Sequence, residues 1–412
     1  MLVLKKNTCR LCKSTKLNRF LDLGYSPISD QILTVDQLEE AEASYPITVE
    51  SCNECGFCQL GHIVPPELMY NENYSYDGSA TKTLREHHIA MANQIVDRFK
   101  LKEKSVVMDI GSNAGILLSG FRDRGMTVLG IDPSVNVANI ARSKGIKVIG
   151  EFFSSTLAQK IKKEFGEVSV ITGTNVFAHI DDLDDFFKAA DTLLDNDGII
   201  VIEAPYLITL LDNLEYDTIY HEHLSYISLK PLNTFCKKLK MDVFDMEFNE
   251  IHGGSVRLFI GREGIRNISE NIEKFLKLEE EKQIYNNERL KKFSNDVKAQ
   301  KRELNILLWK LKSEGKKIVG ISAPAKGNAL TNYCKIGTDL LDYITEKNPL
   351  KIGKYTPGMH IPISSDDKLL EDKPDYGLIL AWNFAEEIIK NNEQFRKNGG
   401  KFIIPIPHPK IV

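Results

Sequence analysis

The stretch Val106-Val-Met-Asp-Ile-Gly-Ser-Asn-Ala-Gly115, followed by Leu129-Gly-Ile-Asp132-Pro133, constrains this chain more than any other part of it. Val106 to Ile110 is almost continuously apolar, as a parallel strand covered on both faces must be. Gly111 and Gly115 bracket a tight turn, which lets a ligand approach the backbone before a helix from about Ile116 to Arg124 begins. Asp132 ends the next strand, about 20 residues after the turn, where an acid meets a ribose in nucleotide-binding βαβ units. An α/β fold with a nucleotide-type ligand at its first turn is expected.

The length of 412 residues exceeds one ordinary core and suggests about two to three domains. A hydrophobic share of 42%, a charged share of 27% and a formal net charge of −4 are those of a soluble globular protein. Mild acidity argues against a nucleic-acid or membrane-surface partner. No apolar run reaches membrane-spanning length, and Met1-Leu-Val-Leu-Lys-Lys lacks a signal-peptide core, so a cytoplasmic protein is expected. In a reducing compartment the 7 cysteines point to thiols or a metal site and not to disulfides.

Five of those cysteines fall before residue 70, and four form the pairs Cys9-Arg-Leu-Cys12 and Cys52-Asn-Glu-Cys55. Two C-x-x-C turns can close a tetrahedral zinc shell, and a closed shell folds a module without doing chemistry. The gap between the pairs is long for a zinc ribbon; it is expected to hold a hairpin and an excursion through Ser26-Pro27-Ile28-Ser29-Asp30. Cys58 and His62 lie just downstream as reserve ligands.

Residues 69–83 are polar, aromatic and glycine-containing, a composition that suits an active-site lid or a surface linker. From 84 to about 260 strand and helix patterns alternate, with strands at 106–110, 127–131, 146–149, 168–174 and 198–202. In such a doubly wound sheet the ligand crevice lies at the carboxyl ends of the strands. Those ends carry Asp109, Asp132, the run Gly173-Thr-Asn-Val-Phe-Ala-His179, and Glu203. A charged helical stretch follows over 265–312, and a new α/β unit starts at Lys316. Its first turn, Ala323-Pro-Ala-Lys-Gly-Asn328, places backbone N–H groups and a lysine where an anion can sit.

The densest chemistry is in Tyr220-His221-Glu222-His223-Leu-Ser-Tyr226. Histidine titrates nearest neutrality and is the natural general base. Glu222 can orient a histidine or bond a hydroxyl, and Tyr220 can donate to a developing oxyanion. A structural polar loop and a His-x-His metal site are the weaker readings.

The spacing Gly111-x-x-x-Gly115 lacks the third glycine of the dinucleotide fingerprint and the Lys-Ser/Thr of a P-loop. D-I-G-S-N-x-G with G-I-D-P resembles instead the S-adenosylmethionine (AdoMet) site of class I methyltransferases. The four-cysteine module, that loop, N-V-F-A-H-I, D-N-L-E-Y-D-T-I-Y-H-E-H-L-S-Y, H-G-G-S-V-R (252–257), A-P-A-K-G-N and K-Y-T-P-G-M-H-I-P-I (354–363) occur in this order. Together they resemble, over essentially the whole chain, the nucleotide-sugar C-methyltransferases that build branched deoxysugars.

That resemblance implies AdoMet-dependent methylation at C3 of a nucleotide-linked, dTDP-type 4-keto-6-deoxysugar. By position, His223 is the base, with Tyr220, Glu222, His179 and a lid tyrosine, Tyr74 or Tyr76, around the sugar. Asp109, Gly111, Ser112, Asn113, Gly115, Asp132, Pro133 and Asn175 line AdoMet. His252, Lys326, Asn328, Tyr333 and Tyr355 meet the sugar nucleotide, and Cys9, Cys12, Cys52 and Cys55 hold structural zinc. The expected division is a zinc module over 1–70, a Rossmann-like methyltransferase domain over 71–262 with its lid at 69–83, a helical connector over 263–312, and a C-terminal α/β Rossmann-like domain over 313–412. The alternatives are an O-methyltransferase on the same scaffold and an NAD-dependent nucleotide-sugar epimerase or reductase.

Overall fold

A computed structural model describes residues 3–71, 74 and 82–412. The greater part of the segment expected to be a lid, Tyr76 included, therefore lies outside the described residues.

Seven strands form the central sheet. Numbered along the chain they are Val106–Ile110, Thr127–Ile131, Lys147–Ile149, Val168–Thr174, Leu194–Pro205, Met241–Asn249 and Ser255–Arg262, and they lie in the order 3-2-1-4-5-7-6. The first five pair in parallel and Ser255–Arg262 runs antiparallel to both its neighbours. The apolar run at Val106 serves two cores, as its reading demanded. Val107 packs with Met91, Ile95, Leu117 and Phe121 of the helices Lys82–Phe99 and Ile116–Asp123. Met108 and Ile110 belong to the core on the other face with Ile161, Phe186 and Phe187. Each such side chain contributes about 1.5–3 kcal/mol by burial. Because strand order reverses between Val106–Ile110 and Val168–Thr174, the chain leaves them to opposite sides and a crevice opens at their carboxyl ends.

A four-stranded antiparallel sheet covers one side of this crevice. Leu17–Ser26 pairs with Tyr45–Cys52, which pairs with Cys58–Leu60, so the long gap between the cysteine pairs is a hairpin with an excursion over 27–44. The fourth strand is Ser225–Tyr226, with Ser225 opposite Gln59 and Tyr226 opposite Cys58. The tail of the His-Glu-His run is thus a strand of the N-terminal sheet. The excursion reaches the other end of the molecule: Asn328 Nδ2 donates to the Ser29 carbonyl at 2.7 Å, and Leu33 bridges Tyr355.

The charged stretch forms two helices, Glu270–Glu281 and Asn287–Ser313. Ser269 and Asn286 cap them, each side chain accepting from a backbone N–H of the first turn. The second helix buries Leu290, Phe293, Val297, Leu304, Leu308 and Leu311, a stripe at helical spacing. A six-stranded sheet follows, with Ile318–Ile321, Ile344–Glu346, Ile363–Ser365, Tyr376–Ile379, Lys401–Ile404 and Lys410–Ile411 in the order 3-2-1-4-5-6, parallel but for the last. Its first turn leads into the helix Ala325–Cys334.

Candidate active site

A cleft of about 590 Å³ lies at the carboxyl ends of the central strands. Its floor is the first glycine turn. Gly111 takes φ +67°, and a Cβ there would stand 2.8 Å from Val176 Cγ2. Asp132 is 5% exposed; its two carboxylate oxygens accept from the backbone N–H groups of Asn113 and Ser134, both at 2.8 Å. The acid is thereby held at the mouth of the turn. Asp109 accepts from Thr172 Oγ1 at 2.7 Å, and burial raises its carboxyl to about 7. Ser112 Oγ and Asn175 Oδ1 are buried with no hydrogen-bond partner among the described residues. Bare backbone, a fixed acid and unspent polar atoms fit a nucleoside ligand carrying an amino-acid tail. Gly111→Ala should weaken AdoMet binding about tenfold or more, since a left-handed residue with a Cβ costs roughly 1–2 kcal/mol before the clash is counted. Calorimetric titration reads this; wild-type affinity would remove the turn from the cofactor site.

The catalytic candidates form a column of rings on the same cleft. Tyr70 stacks on His179 with centroids 6.0 Å apart and planes at 16°, His179 on His223 at 5.0 Å and 26°, and Tyr220 lies 4.2 Å from His223. His179 ends the short helix Phe177–His179 just past a central strand, and its Nδ1 shares a hydrogen bond with the Tyr70 hydroxyl at 2.9 Å. His223 Nδ1 lies 2.6 Å from the Thr218 carbonyl. A carbonyl only accepts, so Nδ1 carries the proton and Nε2 keeps its lone pair. Burial lowers the His223 pKa to about 4, so the ring is neutral at neutral pH. His221 differs. Its Nε2 bonds to the Tyr45 carbonyl at 3.2 Å, and it serves the N-terminal sheet. Glu222 is 3% exposed. Burial, and then Asp30, holds its carboxyl well above the usual range, with Lys351 acting the other way.

The remaining cleft wall comes from both ends of the chain. Asp30, Glu67 and Tyr70 come from the N-terminal part, and Pro324, Ala325, Lys326 and Lys351 from the C-terminal domain. Lys326 Nζ bonds to Asn383 Oδ1 at 3.0 Å and lies 5.7 Å from the Trp382 ring centroid.

The sulfurs of Cys9, Cys12, Cys52 and Cys55 all lie within 4.8 Å of one another. The Cys9–Cys55 and Cys12–Cys52 separations are 3.6 and 3.4 Å. Zn–S bonds of about 2.3 Å in a tetrahedron put sulfurs roughly 3.8 Å apart, so the set fits zinc. Cys58 and His62 are not in this group: Cys58 Sγ lies 3.8 Å from the Gly56 carbonyl, and His62 bonds Thr48 at 3.1 Å. Between Cys9 and Cys12, Arg10 is fully buried; its Nε donates to Asp181 at 2.9 Å and its Nη1 to the Leu60 carbonyl at 2.9 Å. Asp181 lines the cleft two residues after His179. The zinc turn therefore grips a loop of the cleft wall.

Three family models match in succession: "Putative zinc binding domain" over residues 9–70, "Methyltransferase domain" over 84–240, and "C-methyltransferase C-terminal domain" over 250–407. C-methyltransferase NovU of Streptomyces niveus is 31% identical over 405 residues, covering 98% of this chain and 96% of that one. The chain belongs to this C-methyltransferase family. Solved structures that resemble it include an S-adenosylmethionine-dependent methyltransferase from Clostridium acetobutylicum, 14% identical over 44% of this chain and 92% of that chain with a TM-score of 0.36. Another is the magnesium protoporphyrin IX methyltransferase of Synechocystis, 13% identical over 46% and 90% with a TM-score of 0.35.

This C-methyltransferase uses AdoMet as methyl donor and carries a four-cysteine zinc module ahead of its Rossmann-like core. The O-methyltransferase and NAD-dependent alternatives give way to carbon methylation. Of the site residues expected from sequence, His179, Tyr74, Tyr220, Glu222, His223, Asp109, Gly111, Ser112, Asn113, Asp132, Pro133, Asn175 and Lys326 line the cleft. Gly115, with φ +73°, stands at the N-cap of Ile116–Asp123 and shapes the turn from behind. Asn328, Tyr333 and Tyr355 do not line the cleft. Asn328 ties down Ser29, Tyr333 packs edge-on against Tyr216 under the Lys301 ammonium, and Tyr355 bridges Leu33 and Pro362. These three hold the ends of the chain together. The side chain of His252 is outside the described residues. Sequence reasoning missed Asp30, Lys351 and the segment 151–153, all on the cleft, while Tyr70 falls within the stretch 69–83 read as a candidate lid. Of those missed, only the segment left a signal, since it follows the third strand's carboxyl end.

Proposed function

We propose that this enzyme methylates C3 of a nucleotide-linked 4-keto-6-deoxysugar through an enolate. The observation that carries the reading is a neutral imidazole with a free Nε2 lone pair, set beside a buried carboxyl and a phenol in the cleft that also holds the AdoMet turn. Methylation at carbon needs that base, because a C–H bond next to a ketone is far less acidic than a hydroxyl about to be methylated in an activated form. When bound, AdoMet would supply an electrophilic methyl on a sulfonium; the S–CH3 bond breaks as the new bond forms, its electron pair staying on sulfur in the neutral thioether that leaves.

His223 Nε2 takes the proton from C3, and the C–H electron pair moves into the C3–C4 bond while the carbonyl oxygen becomes the enolate oxygen. Glu222 and Tyr220 donate hydrogen bonds to that oxygen. The electron pair then returns through C3 to form the new carbon–carbon bond as the ketone reforms, and His223 releases its proton to water. The sugar gains one methyl and loses one proton. His179, oriented by Tyr70, packs the base in place, and Tyr74 closes the floor. Lys326 faces the diphosphate, whose charge a lysine at this helix start suits. In this reading residues 1–70 buttress the catalytic loop, 71–262 bind AdoMet and do the chemistry, 263–312 connect, and 313–412 receive the nucleotide. The burial of Glu222 and His179 keeps water away from the enolate.

The test is a mass-spectrometric assay with AdoMet and a panel of nucleotide-linked 4-keto-6-deoxysugars, with NMR on the product. One methyl gained on C3 is the expected result. AdoMet binding with no product from any keto sugar would discard this acceptor class.

A further inference from the structure

One patch of the cleft lining carries two buried carboxyls and one buried ammonium, drawn from three distant parts of the chain. Asp30 comes from the N-terminal excursion, Glu222 from the His-Glu-His run, and Lys351 from the segment before Ile363–Ser365; they are 8%, 3% and 5% exposed. Lys351 Nζ donates to the Ala323 carbonyl at 2.9 Å and stands 3.4 Å from Asp30 Oδ1. Glu222 Oε1 is buried with no hydrogen-bond partner among the described residues. One cation thus faces two acids, and its side-chain ion pair is with Asp30. An isolated buried carboxylate costs several kcal/mol, so the acid without the cation retains its proton.

The other groups facing Glu222 supply no compensating charge. Tyr70 and Tyr74 are buried phenols held protonated, chiefly by burial. His179 and His223 are kept neutral by burial. We propose that Asp30 and Lys351 are positioning residues for the methyl transfer: Asp30 engages the Lys351 ammonium and so leaves Glu222 a hydrogen-bond donor for the substrate's ketone oxygen. This rests on the enolate reading above. The device also couples chemistry to assembly. Asp30 is held beside Lys351 by the Asn328–Ser29 hydrogen bond and the Leu33–Tyr355 bridge. If the excursion lifts off, Lys351 is released to ionise Glu222 and the donor is lost.

Asp30→Asn removes the competing acid without changing its shape. With AdoMet and a dTDP-4-keto-6-deoxyhexose, kcat should fall at least about tenfold at neutral pH, within the range expected for loss of one acid group, and the alkaline limb of its pH profile should move to lower pH. The double variant Asp30→Asn/Lys351→Met should recover most of that loss, because no ammonium is left to ionise Glu222. Infrared spectroscopy of the enzyme without sugar reads the same event directly. The C=O stretch of the protonated Glu222 carboxyl, assigned by its loss in Glu222→Gln, should vanish in Asp30→Asn and return in the double variant. Should Asp30→Asn fail to fold, Lys351→Met alone decides: the band must persist there, and a band that is absent in wild type but present in Lys351→Met overturns the inference. So does an unmoved alkaline limb in Asp30→Asn, or a double variant slower than the single. Normal turnover in Glu222→Leu, which leaves no donor, would remove the donor role of Glu222 and this inference with it. Loss of turnover in Glu222→Leu, with Asp30→Asn behaving as wild type, would remove this inference alone.

Discussion

Replacing His223 by asparagine should lower turnover by roughly 10²–10⁴-fold, the range for loss of a general base, while AdoMet affinity stays within a few-fold. Asparagine keeps a donor that can reach the Thr218 carbonyl but has no basic nitrogen to offer. The AdoMet turn is built from other residues, so cofactor binding should not notice the change. The pH profile sharpens the test. Burial has lowered the His223 pKa to about 4, so the base form dominates above that pH and kcat should fall only as pH drops through about 4. Glu222 is shifted upward; as a required acid it would end the plateau on the alkaline side, where its proton leaves. The acid limb is expected near pH 4, in place of the limb near 6.5 that an ordinary histidine base would give. Mass-spectrometric turnover and calorimetry on the same preparation separate the effects. Near-normal kcat in the variant would take the base role from His223.

The second large effect concerns zinc. Cys52→Ser should abolish zinc binding and lower the apparent melting temperature by more than about 10 °C. Structural zinc contributes on the order of 10 kcal/mol in zinc-finger peptides, and a chain of this length loses roughly 2–4 °C or less per kcal/mol. Turnover should fall as well, because Arg10 sits between two of the four cysteines and its guanidinium holds Asp181 in the cleft wall beside His179. Elemental analysis of the purified protein and thermal unfolding provide the check. A wild-type protein without zinc, or a variant as stable as wild type, would contradict the assignment.

The methyltransferase core was legible because its signals are local. An apolar strand, a glycine turn and an acid at the next strand end sit within one βαβ unit, and the parallel register of Val106–Ile110 with Thr127–Ile131 brings Asp109 and Asp132 together without help from elsewhere. The two Cys-x-x-Cys turns were legible for the same reason. Asp30 and Lys351 were not: they are separated by 321 residues, and nothing in either neighbourhood distinguishes them from a surface pair. Asn328 shows the reverse error. Its motif was read as ligand-binding, but the side chain lies inside the helix Ala325–Cys334 and spends its amide on Ser29, while Lys326, at the helix start, faces the cleft. A resemblance preserves which residues matter more readily than it tells what each one touches. The strands Met241–Asn249 and Ser255–Arg262 were not singled out, because a long antiparallel hairpin breaks the strand–helix alternation that had guided the reading.

The short strand Ser225–Tyr226 has a consequence for how this molecule is made. It closes the N-terminal sheet along Cys58–Leu60, yet it leaves the ribosome only after five strands of the central sheet. A nascent chain, or a fragment ending near residue 70, therefore presents Cys58–Leu60 as an open edge, a template for pairing with other chains. The zinc module can be coordinated early but is finished late, and its finishing strand begins two residues after His223 of the cleft. One short run of chain thus both closes the sheet of the metal module and lines the cleft.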